Sequence, residues 1–431
     1  MDEAVTRFRD ERWTAGIIGL GYVGLPLAVT ASSQGLDVIG FDVSADRVGS
    51  LMAGRSHVED VSDAELAEAL GNGAVFTDDA SRLAEADAIF IAVPSPLGVN
   101  RQPDMSYIEA AAETVAKVVR AGQLVSLEST TYPGTTEDHL VPAVERAGLT
   151  VDEDVFVAFS PERVDPGNVL QTHDIPKVVG GVSPVSGEVA AAAYGRLVSK
   201  VHTVSTARAA ELTKLLENTY RAVNIAMVNE LAQVAHAFDI DVWEVIEAAA
   251  TKPFGFQAFY PGPGVGGHCI PLDPQFLAWR AREARVATRF IDLAEDVNLH
   301  MPEYTVNRLN ELLNDRGLPM FGTRILGVGA AYKKNIADDR ESPSMDVLNL
   351  LGKRGAQLGV LDPHVPADRL RARGYEAVAQ DADLSDFAAA IILTDHDATD
   401  YERLVEQVGL VFDTRGVLRR RGIVADHVVS L

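Results

Sequence analysis

Three features of the 431-residue sequence predict an α/β protein of two Rossmann-like, doubly wound domains joined by a long central helix. Near the N-terminus an apolar strand runs into a turn with Gly19, Gly21 and Gly24 in G-x-G-x-x-G spacing, followed by a helix and a second strand. Between Thr206 and Ala250 there is no Gly or Pro, and apolar residues recur at helical spacing. Beyond residue 320 the strand–turn–helix–strand order returns around Gly327 and Gly329. A chain of this length holds about three domains. The expected boundaries are 1–205, 206–315 and 316–431.

In "TAGIIGLGYVGLPLAVTASSQGLDVIGFDVS" the first strand is expected to end at Gly19, the helix to run from about Tyr22 to Gln34, and the second strand to span 37–41. The glycines allow a tight turn, close approach of a pyrophosphate and close helix–strand packing, while the helix N-terminus favours negative charge. Tyr22 and Val23 complete this turn. Asp42, at the end of the second strand, suits a ribose 2′-hydroxyl and repels a 2′-phosphate, so the expected cofactor is NAD rather than NADP. Arg47 has two roles open, stacking on the adenine side or solvating the next helix. "ADAIFIAVPSP" and "GQLVSLESTTYPGTT" are strands running into loops, which makes Pro94, Glu128 and Thr130 candidates for the ligand crevice. "DVFVAFSPERVDPGN" is a further strand ending in a charged loop with Glu162, Arg163 and Asp165.

Leu212, Leu215, Leu216, Val223, Met227, Leu231 and Val234 mark an amphipathic helix whose apolar stripe is expected to pack on a second copy, giving a homodimer. Lys214 and Asn218 lie one turn apart on one face. Pattern alone favours the other reading, a solvated face carrying a Glu217–Arg221 pair. After the linker "DRGLPMFGT" the second glycine turn lacks the third glycine and has Lys333 and Lys334 beside it. It suits an anionic ligand other than a dinucleotide.

The only cysteine, Cys269, lies in "PGPGVGGHCIPLDP". A lone cysteine is ordinarily a small buried hydrophobe. Here glycines and prolines build a constrained, accessible loop, and Asp273 follows four residues later. The formal net charge of −24 excludes nucleic acid and anionic membranes as partners, and an anionic substrate needs a local basic pocket. One cysteine excludes an intramolecular disulfide, and scattered histidines give no metal-ligand spacing, so no metal is expected. The charged N-terminus lacks an apolar signal region and no apolar run reaches membrane-spanning length, so the expectation is a cytoplasmic protein.

"GLGYVGLP", "STTYPGTT", "SPERVDPGN", "ELTKLLENTYRAVNIAMVNELA", "GPGVGGHCIPLDP", "AYKKNIADDRESPS" and "FDTRG" occur in the order found in the nucleotide-sugar dehydrogenase family. The resemblance runs from about residue 15 to 416. With "IPKVVGG" and "KPFGFQAFYPGPGVGGHC", the chain is most similar to the branch acting on UDP-N-acetylglucosamine and UDP-N-acetylmannosamine. The resemblance implies a four-electron oxidation of a sugar 6-CH2OH to a carboxylate with two NAD, UDP-N-acetylglucosamine being favoured. It implies that Cys269 forms a thiohemiacetal and then a thioester. By position, Lys214 would stabilise the oxyanion, Asn218 and Thr130 would hold an oxygen or water, Asp273 would assist proton transfer, and Glu162 would assist thioester hydrolysis. Lys333, Arg415 and Tyr260 match positions that hold the nucleotide diphosphate and sugar, with Arg163 and Gly266 on the substrate side, while Arg340 matches a cofactor-side contact. His268, beside the nucleophile, is a weaker candidate base. Two departures stand out: Pro166 occupies the place of a second glutamate, with Asp165 the nearby acid, and Gly416 replaces the asparagine of "DTRN". The alternatives are a UDP-N-acetylmannosamine or UDP-glucose dehydrogenase, a two-electron hydroxyacid dehydrogenase, and a non-catalytic nucleotide-sugar sensor.

Overall fold

The computed structural model describes residues 2–58, 60–98, 101–163, 172–267 and 269–431. Asp165, Pro166 and His268 lie outside the described residues. The chain forms two compact units, Met1–Glu217 with Gln275–Val286, and Asn218–Pro274 with Ala287–Leu431.

The first unit is built on eight strands: β1 (Thr14–Ile18), β2 (Asp37–Phe41), β3 (Val75–Thr77), β4 (Ala88–Ile91), β5 (Leu124–Leu127), β6 (Phe156–Phe159), β7 (Lys177–Gly181) and β8 (Val201–Val204). Their order is β3-β2-β1-β4-β5-β6-β7-β8, with β6 and β7 antiparallel and every other pair parallel. Helices cover both faces, so inner strands such as "AIFI" and "LVSL" are continuously apolar and fully buried rather than alternating. Strand order reverses between β1 and β4, which opens a ligand crevice at their carboxyl ends. The helix after β1 spans Gly24–Ser33, two residues shorter at its start than the spacing suggests, because Gly19 to Val23 are spent on the turn.

The second unit repeats the arrangement with β9 (Arg324–Val328), β10 (Gln357–Leu361), β11 (Glu376–Ala377), β12 (Ala389–Ile392), β13 (Val411–Asp413) and β14 (Val428–Ser430). This sheet is parallel throughout, in the order β11-β10-β9-β12-β13-β14. The echo of the N-terminal motif is therefore an echo of topology. The Gly- and Pro-free stretch makes one helix over Ala207–Ala237 and a second over Val242–Ala250. Asp239 takes a left-handed conformation (φ 54°), and the Asp241 carboxylate caps the amides of Trp243 and Glu244, so the chain turns without glycine. Among the described residues no helix is long and apolar enough to cross a membrane.

Candidate active site

The three glycines of the first turn meet three different constraints. Gly19 has φ 91°, and a Cβ there would stand 2.5 Å from the Ala92 carbonyl oxygen. A Cβ on Gly24 would fall 1.8 Å from the Gly19 oxygen, whereas one on Gly21 would meet no protein atom within 4 Å. Tight turn, close packing and open approach are the features a pyrophosphate-binding turn requires. Val23 occupies the helix N-cap and supplies no side-chain acceptor, which leaves the first-turn amides without the cap that Ser or Asp ordinarily provides. Half-exposed Tyr22 borders this turn.

Asp42 accepts from the amides of Leu20 (2.9 Å) and Ser44 (3.0 Å) and from Arg47 Nη1 (2.7 Å). Burial pushes its carboxyl up, but these donors outweigh burial and hold it below the usual carboxylate range. An ionised carboxylate accepts about four hydrogen bonds, so one position remains for a ribose hydroxyl. The residues present thus fit an NAD adenosine half. Arg47 is ion-paired with Asp42.

The loops after β4 and β5, which carry exposed Pro94 and half-buried Thr130, are tied together by Val93 N–H donating to Ser129 Oγ (2.9 Å). Glu211 fixes the Thr130 loop to the long helix by accepting from Gly134 N–H, Thr136 N–H (2.9 Å) and Thr136 Oγ1 (2.7 Å). Glu128 departs from expectation. It is 2% exposed and ion-paired with Lys177 Nζ at 2.5 Å, so it faces the interior instead of lining the crevice. Lys177 also reaches Glu162 Oε2 at 3.0 Å. A lysine opening the apolar run "KVVGG" was the available signal for this buried cluster, and motif spacing alone did not mark it as functional.

Lys214 is 9% exposed and donates from Nζ to the Glu162 carbonyl oxygen at 2.7 Å, which rules out the solvated-face alternative. Glu217 pairs with Arg163 (2.6 Å) instead of Arg221. Arg163 also donates to the Pro176 carbonyl (2.8 Å), cross-bracing the loop that carries Glu162.

In the second unit Asn218 donates to the carboxylate of Asp273, which is 2% exposed. The exposed Cys269 sits in the turn that feeds the helix Asp273–Glu283, its carbonyl accepting from Leu272 N–H (3.2 Å) and Asp273 N–H (2.9 Å). The glycines before it are packed against protein more than they are open to a ligand. A Cβ on Gly266 would lie 2.5 Å from Pro343 and 2.8 Å from Tyr332, and Gly267 (φ 89°) donates to the Glu341 carbonyl at 3.1 Å. The cysteine loop is therefore seated on the segment between β9 and the helix Pro343–Lys353, which also carries Lys333 and Arg340. Arg340 is half-exposed and ion-paired with Asp338 at 2.7 Å.

Arg415 follows β13, its amide held by the Asp413 carboxylate at 3.0 Å and its Nε donating to the Leu393 carbonyl at 2.6 Å. Burial pulls its guanidinium below the ordinary arginine value. Neighbouring Asp395 is paired with Arg420 (2.7 Å), and among the described residues no carboxylate lies within ion-pair distance of Arg415. Gly416 has φ 63° and a Cβ there would strike the Trp243 ring at 2.7 Å, so glycine in place of asparagine is a packing requirement. Trp243 in turn stacks on Tyr260 at 5.8 Å and 14°. The acid ending β10, Asp362, accepts from Ala330, Ala331, His364 and Val365 amides and from buried His396 (3.0 Å). That carboxylate is consumed by its own fold, which removes the ribose acceptor a second dinucleotide site would need.

Residues 14–198 match the NAD binding domain of the UDP-glucose/GDP-mannose dehydrogenase family, residues 208–300 its central domain and residues 326–420 its UDP binding domain. The chain belongs to this family and is an NAD-dependent nucleotide-sugar dehydrogenase. It is 37% identical to an NDP-N-acetyl-D-galactosaminuronic acid dehydrogenase of Ralstonia nicotianae, over 96% of this chain and 98% of that protein. To a UDP-N-acetyl-D-glucosamine 6-dehydrogenase of Pseudomonas aeruginosa it is 36% identical over 82% and 83% of the two chains. The solved structure of a UDP-D-ManNAc dehydrogenase from Pyrococcus horikoshii superposes with a TM-score of 0.84 at 32% identity, covering 94% of this chain and 96% of that one. The hydroxyacid and non-catalytic alternatives give way to this membership.

Proposed function

We propose that the protein oxidises the 6-CH2OH of a UDP-N-acetylhexosamine, UDP-N-acetylglucosamine first among them, to the uronic acid through a Cys269 thioester. The observation that carries the reading is the placement of the only thiol, exposed and one turn before a buried Asp273 that is held by Asn218. Relatives named for three different N-acetylated sugars support the substrate class. NAD, when bound at the Gly19–Gly24 turn and Asp42, supplies the hydride acceptor for each oxidation.

Lys214 stabilises the alkoxide of the first oxidation, and Thr130 and Asn218 hold the oxygen that bears it. The Cys269 thiolate then adds to the aldehyde carbon, which makes that carbon tetrahedral and able to release a second hydride. Asp273 carries the proton exchanged at the sugar oxygen. Water cleaves the resulting thioester with Glu162 as base, returning the thiolate. Arg415, Lys333 and Tyr260 bind the nucleotide end, with Arg163 and Gly266 beside the sugar. In this reading the three segments 1–205, 206–315 and 316–431 bind NAD, carry the cysteine and helix, and bind UDP.

The test is NADH formed per mole of limiting UDP-GlcNAc, UDP-ManNAc and UDP-glucose in parallel. Two NADH on UDP-GlcNAc is the expected result. One NADH per sugar on every substrate sinks the thioester. Arg415→Ala should raise KM for the sugar nucleotide about tenfold or more with kcat retained, since lost ground-state binding appears in KM; a change confined to kcat moves Arg415 into the chemistry.

The helix stripe supports a homodimer. Leu212, Leu216, Met227, Leu231 and Val234 are exposed along the long helix despite their apolar periodicity. Sedimentation equilibrium should return twice the 46.2 kDa chain mass, and a monomer at assay concentration would refute it.

A further inference from the structure

Lys177 opens β7 at 2% exposure and has no part in the chemistry above. Its Nζ lies between Glu128 Oε2 (2.5 Å) and Glu162 Oε2 (3.0 Å). The other oxygen of Glu128 accepts from Tyr194 Oη (2.8 Å), which also bonds Ser126 Oγ (2.8 Å). Glu128 is thus committed at both oxygens, and its side chain has no exposure. Glu162 is likewise bonded at both oxygens, Oε1 accepting from Arg163 N–H (2.6 Å), but its side chain keeps 12% exposure, and it stands on the loop after β6, where Lys214 grips its backbone carbonyl. One buried ammonium therefore serves an inner carboxylate that is wholly structural and an outer one that reaches solvent.

Burial acts against the Lys177 charge, but the two carboxylates outweigh it and keep the ammonium protonated. Among the described residues, further charged groups around Glu162 are Glu128 behind Lys177, Lys214 from the long helix, and Arg163, whose guanidinium is turned to Glu217. Lys177 bonds the Glu162 carboxylate itself.

We propose that Lys177 is a positioning residue, holding the Glu162 carboxylate ionised and oriented to take a proton from the water that cleaves the Cys269 thioester. The proposal rests on the reading of Glu162 as hydrolytic base. In that step the water oxygen bonds to the thioester carbon, its proton passes to Glu162, and the C–S bond breaks with its electron pair on sulfur. The electrons of both oxidations have already left, so no further oxidant enters.

Lys177→Met alone strands Glu128 as a buried, uncompensated charge and can unfold the protein. The working variant is therefore Lys177→Met/Glu128→Gln, with Lys177→Arg as the rescue. The readouts are the pH profile of product formation with UDP-GlcNAc and NAD, acyl-enzyme on Cys269 by denaturing mass spectrometry during turnover, and thermal melting with NAD binding as controls. Loss of an adjacent opposite charge raises a carboxyl pKa by about 1–3 units, and loss of the Glu128 charge behind it offsets part of that, so the acid limb of the double variant should move up by about one unit. Acyl-enzyme should accumulate at neutral pH in a protein that melts and binds NAD like the parent, and Lys177→Arg should restore the parent limb. A folded double variant with the parent limb and no accumulated acyl-enzyme overturns the proposal, as does a rate loss with an unshifted limb. Glu162→Gln separates the two claims. If it turns over without accumulating acyl-enzyme, the hydrolytic reading itself fails; if it accumulates and the double variant does not, only the role of Lys177 fails.

Discussion

Cys269→Ser is expected to lower NADH formation on the order of 10³-fold or more while NAD and sugar nucleotide still bind. The first hydride transfer needs no nucleophile, but the second needs a tetrahedral carbon bearing a heteroatom, and a serine hydroxyl at neutral pH adds far more weakly than a thiolate. The Cys269 carbonyl accepts from Leu272 and Asp273 amides, and the substitution leaves those bonds in place. The loop is held by contacts of its glycines with Tyr332, Glu341 and Pro343, so geometry should persist. The measurement is product analysis by mass spectrometry beside NADH release, where any product should stop at the aldehyde level. Carboxylate formed at the parent rate would defeat the mechanism.

The second large effect is at Lys214. Lys214→Met keeps most of the side-chain length and removes the charge, and kcat should fall about 10²–10³-fold, the usual loss for one oxyanion donor. KM should change much less, since the charge it meets develops only in the transition state. The Glu162 carbonyl loses its 2.7 Å donor, at a cost to stability of about 1 kcal/mol. Melting curves separate that cost from the catalytic one. A kcat within about twofold of the parent would remove Lys214 from the chemistry.

Much of the architecture is legible in local pattern because Rossmann-like turns impose local constraints. The positions of Gly19, Gly21 and Gly24, and of Asp42 at the end of β2, follow from rules that act within some thirty residues. The long helix shows itself by periodicity and the absence of Gly and Pro, yet its end does not, since Asp239 breaks it with a left-handed conformation that asparagine-like side chains tolerate. Glu128 and Lys177 were illegible for a different reason. They lie 49 residues apart and meet because β5 and β7 flank β6 in one sheet. Only that meeting turns a crevice candidate into a buried counterion.

The sequence by itself determined two glycine-turn domains, an NAD-type acid, a lone cysteine on a constrained loop and the order of motifs that joins them, because each is a short-range pattern of conformation and charge. Tertiary structure decided which charges remain available. Asp42 keeps one acceptor position while Asp362 keeps none, although both end the second strand of a glycine-turn unit. Among the described residues Arg415 has no ion-paired carboxylate, while Arg420 takes Asp395. Hydrogen-bond and ion-pair partners come from distant strands, and in a buried site the partner, not the residue type, decides whether a charge serves the fold or a ligand.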